Sequence, residues 1–139
     1  MQKQKQTFFG SFRWAFSGLF YALQTQRNMQ VHLLATLLAS GLSVWLGLSR
    51  LEWILLLLTF ATVWMAEMVN TALEATLDHL APEIHPQVKI AKDVAAGAVL
   101  VAALFAVLIG ILLWGPRLGA ILGSSTVLDS KAIAIAVQA

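Results

Sequence analysis

The sequence predicts an all-α membrane protein: an N-terminal amphipathic helix at the membrane interface, followed by three transmembrane helices. Three observations carry this. Hydrophobic residues make up 59% of the 139-residue chain and charged residues only 12%, against about 25% charged in soluble domains. Three stretches are apolar over roughly the 20 residues that a bilayer crossing takes. Ahead of them, aromatic and aliphatic residues recur at helical intervals. Mean hydropathy is +0.79. One domain is expected at this length.

The elements follow in order. The first residues, MQKQKQTFFGSFRWAF, lack a compact apolar core with a small-residue cleavage site, so a cleaved signal peptide is not expected. Phe8, Phe9, Phe12, Phe16, Leu19, Phe20 and Leu23 recur every three or four residues, which predicts an interfacial helix over about 8–25. The first span is expected at 31–48 and the second at 51–77, with only Ser49-Arg50 between them, so the two form a tight antiparallel hairpin. A polar loop, DHLAPEIHPQVKIAKD, is expected at 78–93. The third span is expected at 94–114, ended by Gly115-Pro116. Residues 1–115 thus form one membrane domain, and 116–139 a tail without an interpretable motif.

Lysine and arginine set the orientation. Lys3, Lys5, Arg13, Arg27, Lys89 and Lys92 fall on one side, and Arg50, Arg117 and Lys131 on the other. The N-terminus and the 78–93 loop are therefore expected in the cytoplasm. With a net charge of only +2, the pI near 9.3 is a weak hint of nucleic-acid binding. The chain has no cysteine, which excludes thiol and thiolate-metal chemistry. Ala98, Ala102, Ala106 and Gly110 form a small-residue stripe on the third span, of the kind that lets helix backbones approach closely.

The chemistry concentrates in EMVNTALE, residues 67–74, at the end of the second apolar run. A charge at bilayer depth costs about 2.5–3.5 kcal/mol on insertion scales. On a helix, Glu67, Asn70, Thr71, Glu74 and Asp78 share one face. At 1.5 Å per residue, Glu67 lies about 24 Å beyond Leu51, just inside the cytoplasmic border, and Glu74 about 10 Å further out. Trp14, Trp45, Trp53, Trp64 and Trp114 read mostly as interface anchors or packing. Carboxylate, amide and hydroxyl oxygens suit Mg²⁺. A lysine beside them can hold phosphate, and a carboxylate can act as a general base. These are the parts of phosphoryl transfer to a hydroxyl at the membrane surface. Neither GxxxxGK[ST] nor a GxGxxG after a strand occurs.

At these residues the sequence resembles the prokaryotic diacylglycerol kinase / undecaprenol kinase family of small membrane lipid kinases. The signature E-x-x-N-[ST]-A-x-E stands as Glu67, Asn70, Thr71, Ala72 and Glu74. It is followed by Glu83-Ile84-His85 and by Ala91-Lys92-Asp93, and preceded by Arg27-Asn28 and His32. The resemblance covers about residues 8–114. It implies an ATP-dependent, Mg²⁺-dependent kinase acting on diacylglycerol or undecaprenol in the bacterial cytoplasmic membrane, assembled as a homotrimer. By position, Glu67 would be the general base and Asn70 its catalytic support. Glu74 and Gln26 would hold the metal. Glu74, Glu83, His85, Lys92, Asp93 and Trp14 would contact ATP, and Asn28, His32 and Glu67 the lipid. Gln26 stands where the family usually has a second metal-binding glutamate. Two other readings stay open: a small transporter subunit that uses Glu67 as its ion site, and a catalytically weakened member kept for assembly.

Overall fold

The computed structural model describes residues 8–81 and 85–137, with side chains over 10–123 of these. Four α-helices follow one another: α1 Phe8–Thr25, α2 Arg27–Trp45, α3 Arg50–Leu80 and α4 Pro86–Val137. No strand occurs among the described residues. Two helical stretches, Arg50–Leu80 and Pro86–Gly123, are long and apolar enough to cross a membrane. The expected first span falls on α2, which opens with Arg27, Asn28, Gln30 and His32 and so keeps a shorter apolar run. Much of the surface is apolar: Leu37, Leu38, Leu58, Val101, Phe105 and Leu112 are all more than half exposed. Such a surface suits lipid or further protein, not water.

Helix α1 has the expected bounds. Its Phe12, Phe16 and Phe20 stay exposed, and Ala22 is the residue it buries. It meets α2 at Gln26, where Met29 is fully buried. The α2–α3 turn is longer than expected. Helix α2 ends at Trp45, and Gly47 takes φ +65°, a left-handed conformation that favours glycine. Ser49 then starts α3 with a capping box: its side chain accepts from the Glu52 N–H, and Glu52 accepts from the Ser49 N–H at 2.7 Å.

The expected 78–93 loop is mostly helix. Helix α3 runs to Leu80, and α4 starts at Pro86, a residue suited to a first helical position because its missing N–H would have no partner there. The His85 carbonyl accepts from the Val88 and Lys89 N–H groups, which begins the helix. At the other end α4 does not stop at Gly115-Pro116 but continues through Pro116. A proline removes one backbone donor and crowds the preceding turn. The next residue, Arg117, donates from Nη1 to the Leu113 carbonyl at 3.1 Å. The same guanidinium holds Glu52 through two bonds, Nη1 to Oε1 at 2.8 Å and Nη2 to Oε2 at 2.9 Å.

The core lies at this end, where Leu48, Leu56 and Leu113 pack with Trp53, Phe60, Ile109 and Trp114. Trp114 Nε1 donates to the fully buried Ser43 Oγ at 3.0 Å, tying α4 to α2. Gly110 makes room for the indole: a Cβ there would come within 2.8 Å of Trp114 Cζ3. One member of the small-residue stripe therefore serves a contact within its own helix.

Candidate functional site

The polar face of α3 emerges as a burial gradient. Glu67 is 1% exposed, Asn70 5% and Thr71 6%. Glu74 is half-buried and Asp78 exposed. Positions spaced by three and four residues share one helix face, and here that face turns inward at Glu67 and outward by Asp78. Asn70 Nδ2 donates to Glu74 Oε1 at 3.2 Å. Glu67 Oε2, Asn70 Oδ1 and Thr71 Oγ1 are buried without a hydrogen-bond partner. Buried polar atoms almost always have partners, so three unpartnered atoms within two turns make this face a candidate ligand site.

Glu67 and Asn70 border a cavity of about 270 Å³. Asn28 and His32 reach it from α2, Glu67, Asn70 and Glu74 from α3, and Ala96, Val99, Leu100 and Ala103 wall it from α4. The fold thus brings the expected lipid-facing and catalytic residues together from segments about forty residues apart in sequence. The chemistry this arrangement can perform is acceptance of a proton inside an apolar pocket, with neutral and anionic oxygens at its outer rim.

The other expected site residues stand further out. Lys92 is one turn ahead of Ala96 on α4 and pairs with Asp78 across to α3. Asp93 pairs with Lys89 at 2.6 Å. His85 sits at the start of α4, where its Nδ1 accepts from the Gln87 N–H at 3.2 Å. Trp14 is 69% exposed on α1. Gln26 caps α2 through its backbone, its side chain makes no capping bond, and it does not line the cavity. Glu83 lies outside the described residues.

Among the described residues no group of three or more His, Asp or Glu side chains could hold a metal ion by itself. Glu74, with the unpartnered Asn70 Oδ1 beside it, fits a different arrangement. A hard cation bound through one carboxylate keeps its waters and takes its remaining oxygens from substrate phosphates.

Two participants had no assigned role from sequence. Asp78 reads as a solvated helix-end residue, yet it is the partner of Lys92, and its position on the α3 polar face is the signal that could have found it. Trp64 Nε1 donates to Thr36 Oγ1 at 3.1 Å just below the cavity. No sequence pattern announces that pair.

The chain is similar in sequence to known proteins. Residues 13–114 match the prokaryotic diacylglycerol kinase family. An undecaprenol kinase of Bacillus subtilis (strain 168) is 38% identical over 111 residues, 80% of this chain and 90% of that protein. A diacylglycerol kinase of Synechocystis sp. is 42% identical over 101 residues, 72% of this chain and 58% of that protein. A diacylglycerol kinase of Escherichia coli (strain K12) is 37% identical over 81 residues, 58% of this chain and 66% of that protein.

Proposed function

The chain belongs to the prokaryotic diacylglycerol kinase family and is a lipid kinase, and from that premise we propose that it transfers the γ-phosphate of ATP to the hydroxyl of a membrane lipid alcohol. The acceptor is diacylglycerol, giving phosphatidic acid, or undecaprenol, giving undecaprenyl phosphate. The observation that carries this reading is Glu67: a carboxylate 1% exposed, with Oε2 unpartnered, at a cavity between three helices.

The residues divide the work by depth. The lipid hydroxyl enters beside Glu67, His32 and Asn28, with its tail among apolar side chains. Glu67 takes the hydroxyl proton as the oxygen attacks the γ-phosphorus, the bond to ADP breaks, and the phosphate ester forms. Asn70 holds Glu74 through Nδ2, and its free Oδ1 can accept a hydrogen bond or ligate a cation. Glu74 would hold Mg²⁺, which would neutralise phosphate charge. Lys92 leaves Asp78 to meet phosphate as ATP binds, with Asp93, His85, Glu83 and Trp14 as outer nucleotide contacts.

In this reading the polar end of the bundle faces the cytoplasm, where ATP is, and the protein sits in the bacterial cytoplasmic membrane with α2 as a third span. The assembly is a homotrimer. Its support is the unpartnered apolar surface that flanks Ala98, Ala102 and Ala106, including the exposed Val101 and Phe105.

The test uses purified protein in mixed micelles with labelled ATP, Mg²⁺ and either diacylglycerol or undecaprenol. Label should pass to one lipid and not the other, and Glu67→Gln should reduce transfer by about a hundredfold or more. Failure to label any lipid alcohol would sink the proposal.

A further inference from the structure

The geometry points to Thr36 and Trp64 as positioning residues for the lipid side of the site, a role that rests on the kinase reading above. Trp64 Nε1 donates to Thr36 Oγ1 at 3.1 Å, and Thr36 Oγ1 donates to the His32 carbonyl at 2.8 Å. A hydroxyl has one proton and two lone pairs, so it can make both bonds at once. A chain of hydrogen bonds therefore runs from α3 through Thr36 into the backbone of His32. Among the described residues, Trp64 to Thr36 is the one side-chain to side-chain hydrogen bond that joins α2 to α3.

The pair lies directly beneath the cavity. Trp64 precedes Glu67 by three residues and Thr36 follows His32 by four, so on both helices the bond sits about 5 Å deeper than the site. His32 and Ala103 line both that cavity and a larger apolar groove of about 410 Å³, which follows α2 past Ala39 and Leu42 to Trp114. His32 borders both spaces, so their shape at this point depends on where α2 stands relative to α3.

Helix α2 depends on directional bonds for that position. It packs on α3 much less extensively than α4 does, because the groove intervenes. In a bilayer, apolar side chains gain little by exchanging lipid for protein, so hydrogen bonds and close packing decide where helices stand. Among the described residues, α2 has two further side-chain tethers to other helices: Gln30 Nε2 donates to the Leu23 carbonyl of α1 at 3.1 Å, and Ser43 meets Trp114 at the far end. Thr36 and Trp64 thus hold His32 opposite Glu67 at the spacing a lipid hydroxyl and its first carbons need. Lys92, paired with Asp78 one turn past Glu74, stands at the other side of the cavity from this bond.

Steady-state kinetics in mixed micelles test this, with the KM for lipid alcohol as a mole fraction measured apart from the KM for ATP. Thr36→Val keeps the side-chain shape and removes both bonds. It should raise the lipid KM about fivefold to tenfold, the effect of one net hydrogen bond, and move the ATP KM by less than about twofold. Thr36→Ser should restore the wild-type lipid KM. Trp64→Phe, which leaves Thr36 and His32 bonded, should raise it as well and gives a second reading should Thr36→Val fold poorly. An unchanged lipid KM in both Thr36→Val and Trp64→Phe overturns the assignment. So does a joint fall in kcat and melting temperature without a split between the two KM values, which marks a purely structural bond. A wild-type protein that labels no lipid alcohol would overturn the kinase reading and this role together, whereas an active wild type with unaltered variants removes the positioning role alone.

Discussion

Asn70 Nδ2 donates to Glu74 Oε1 across 3.2 Å, one helical turn apart on α3, while Asn70 Oδ1 stays buried without a partner. The amide thus orients the outer carboxylate and keeps its own oxygen for something that arrives. Glu67, one turn deeper, has an unpartnered oxygen too. Two carboxylates on one helix face are separated in role by a single asparagine.

Removing that amide should loosen Glu74. Asn70→Ala is expected to lower kcat about tenfold or more and to raise the Mg²⁺ concentration for half-maximal activity, since Glu74 loses its orienting donor and the cation loses a nearby oxygen. Asn70→Asp should not rescue it, because a third carboxylate adds repulsion where Asn70 donated. Magnesium titrations of both variants check this. Full activity in Asn70→Asp would show that the donor is dispensable.

Gln26 bears on the same metal. Gln26→Glu should lower the Mg²⁺ requirement if this side chain approaches the nucleotide when ATP binds, because a carboxylate replaces a neutral carbonyl oxygen. The variant's activity is to be measured across Mg²⁺ concentrations at fixed ATP. An unchanged requirement would place Gln26 away from the metal, as its absence from the cavity lining suggests for the free protein.

At the outer rim Lys92 is paired with Asp78. Asp78→Asn should free the ammonium and remove a negative charge near the incoming phosphates. It is expected to lower the KM for ATP by about twofold to fivefold at low salt, with the gain shrinking at high salt because exposed charges are screened. Lys92→Met should raise that KM by about tenfold or more. A rise in KM for Asp78→Asn would instead make Asp78 a nucleotide contact in its own right.

Far from the chemistry, Gly110 is predicted to be a stability position. A Cβ there meets Trp114 Cζ3 at 2.8 Å, and the indole is held by Ser43. Gly110→Val should push the ring away and break the bond between α2 and α4, at a cost of about 1–3 kcal/mol by overpacking. Thermal unfolding in detergent, followed by tryptophan fluorescence, reads it out. Trp114→Phe, which relieves the clash, should recover part of the loss in the double variant.

Much of the fold is legible along the chain. The three- and four-residue recurrence of Phe12, Phe16 and Phe20 locates α1, and the polar positions from Glu67 to Asp78 read as one face because helical periodicity is a local property. The signals that misled are also local. Prolines 82, 86 and 116 read as loop and terminator, yet Pro86 opens a helix and Pro116 is carried within one. Next to Pro116, Arg117 bridges to Glu52, 65 positions away, a contact that no local pattern shows.

By itself, then, the sequence determined the kind of solvent this protein occupies, the helices that occupy it and the face on which its acids lie, because hydropathy and periodicity depend on neighbours a few residues apart. Only the tertiary structure decided which residues surround Glu67, that Lys92 rests on Asp78, and that Trp64 and Thr36 brace the two helices beneath the site. Those two bonds join positions 14 and 28 residues apart. They depend on how the helices stand against one another, and in an apolar surrounding that is set by a few directional hydrogen bonds and close contacts rather than by any pattern along the chain.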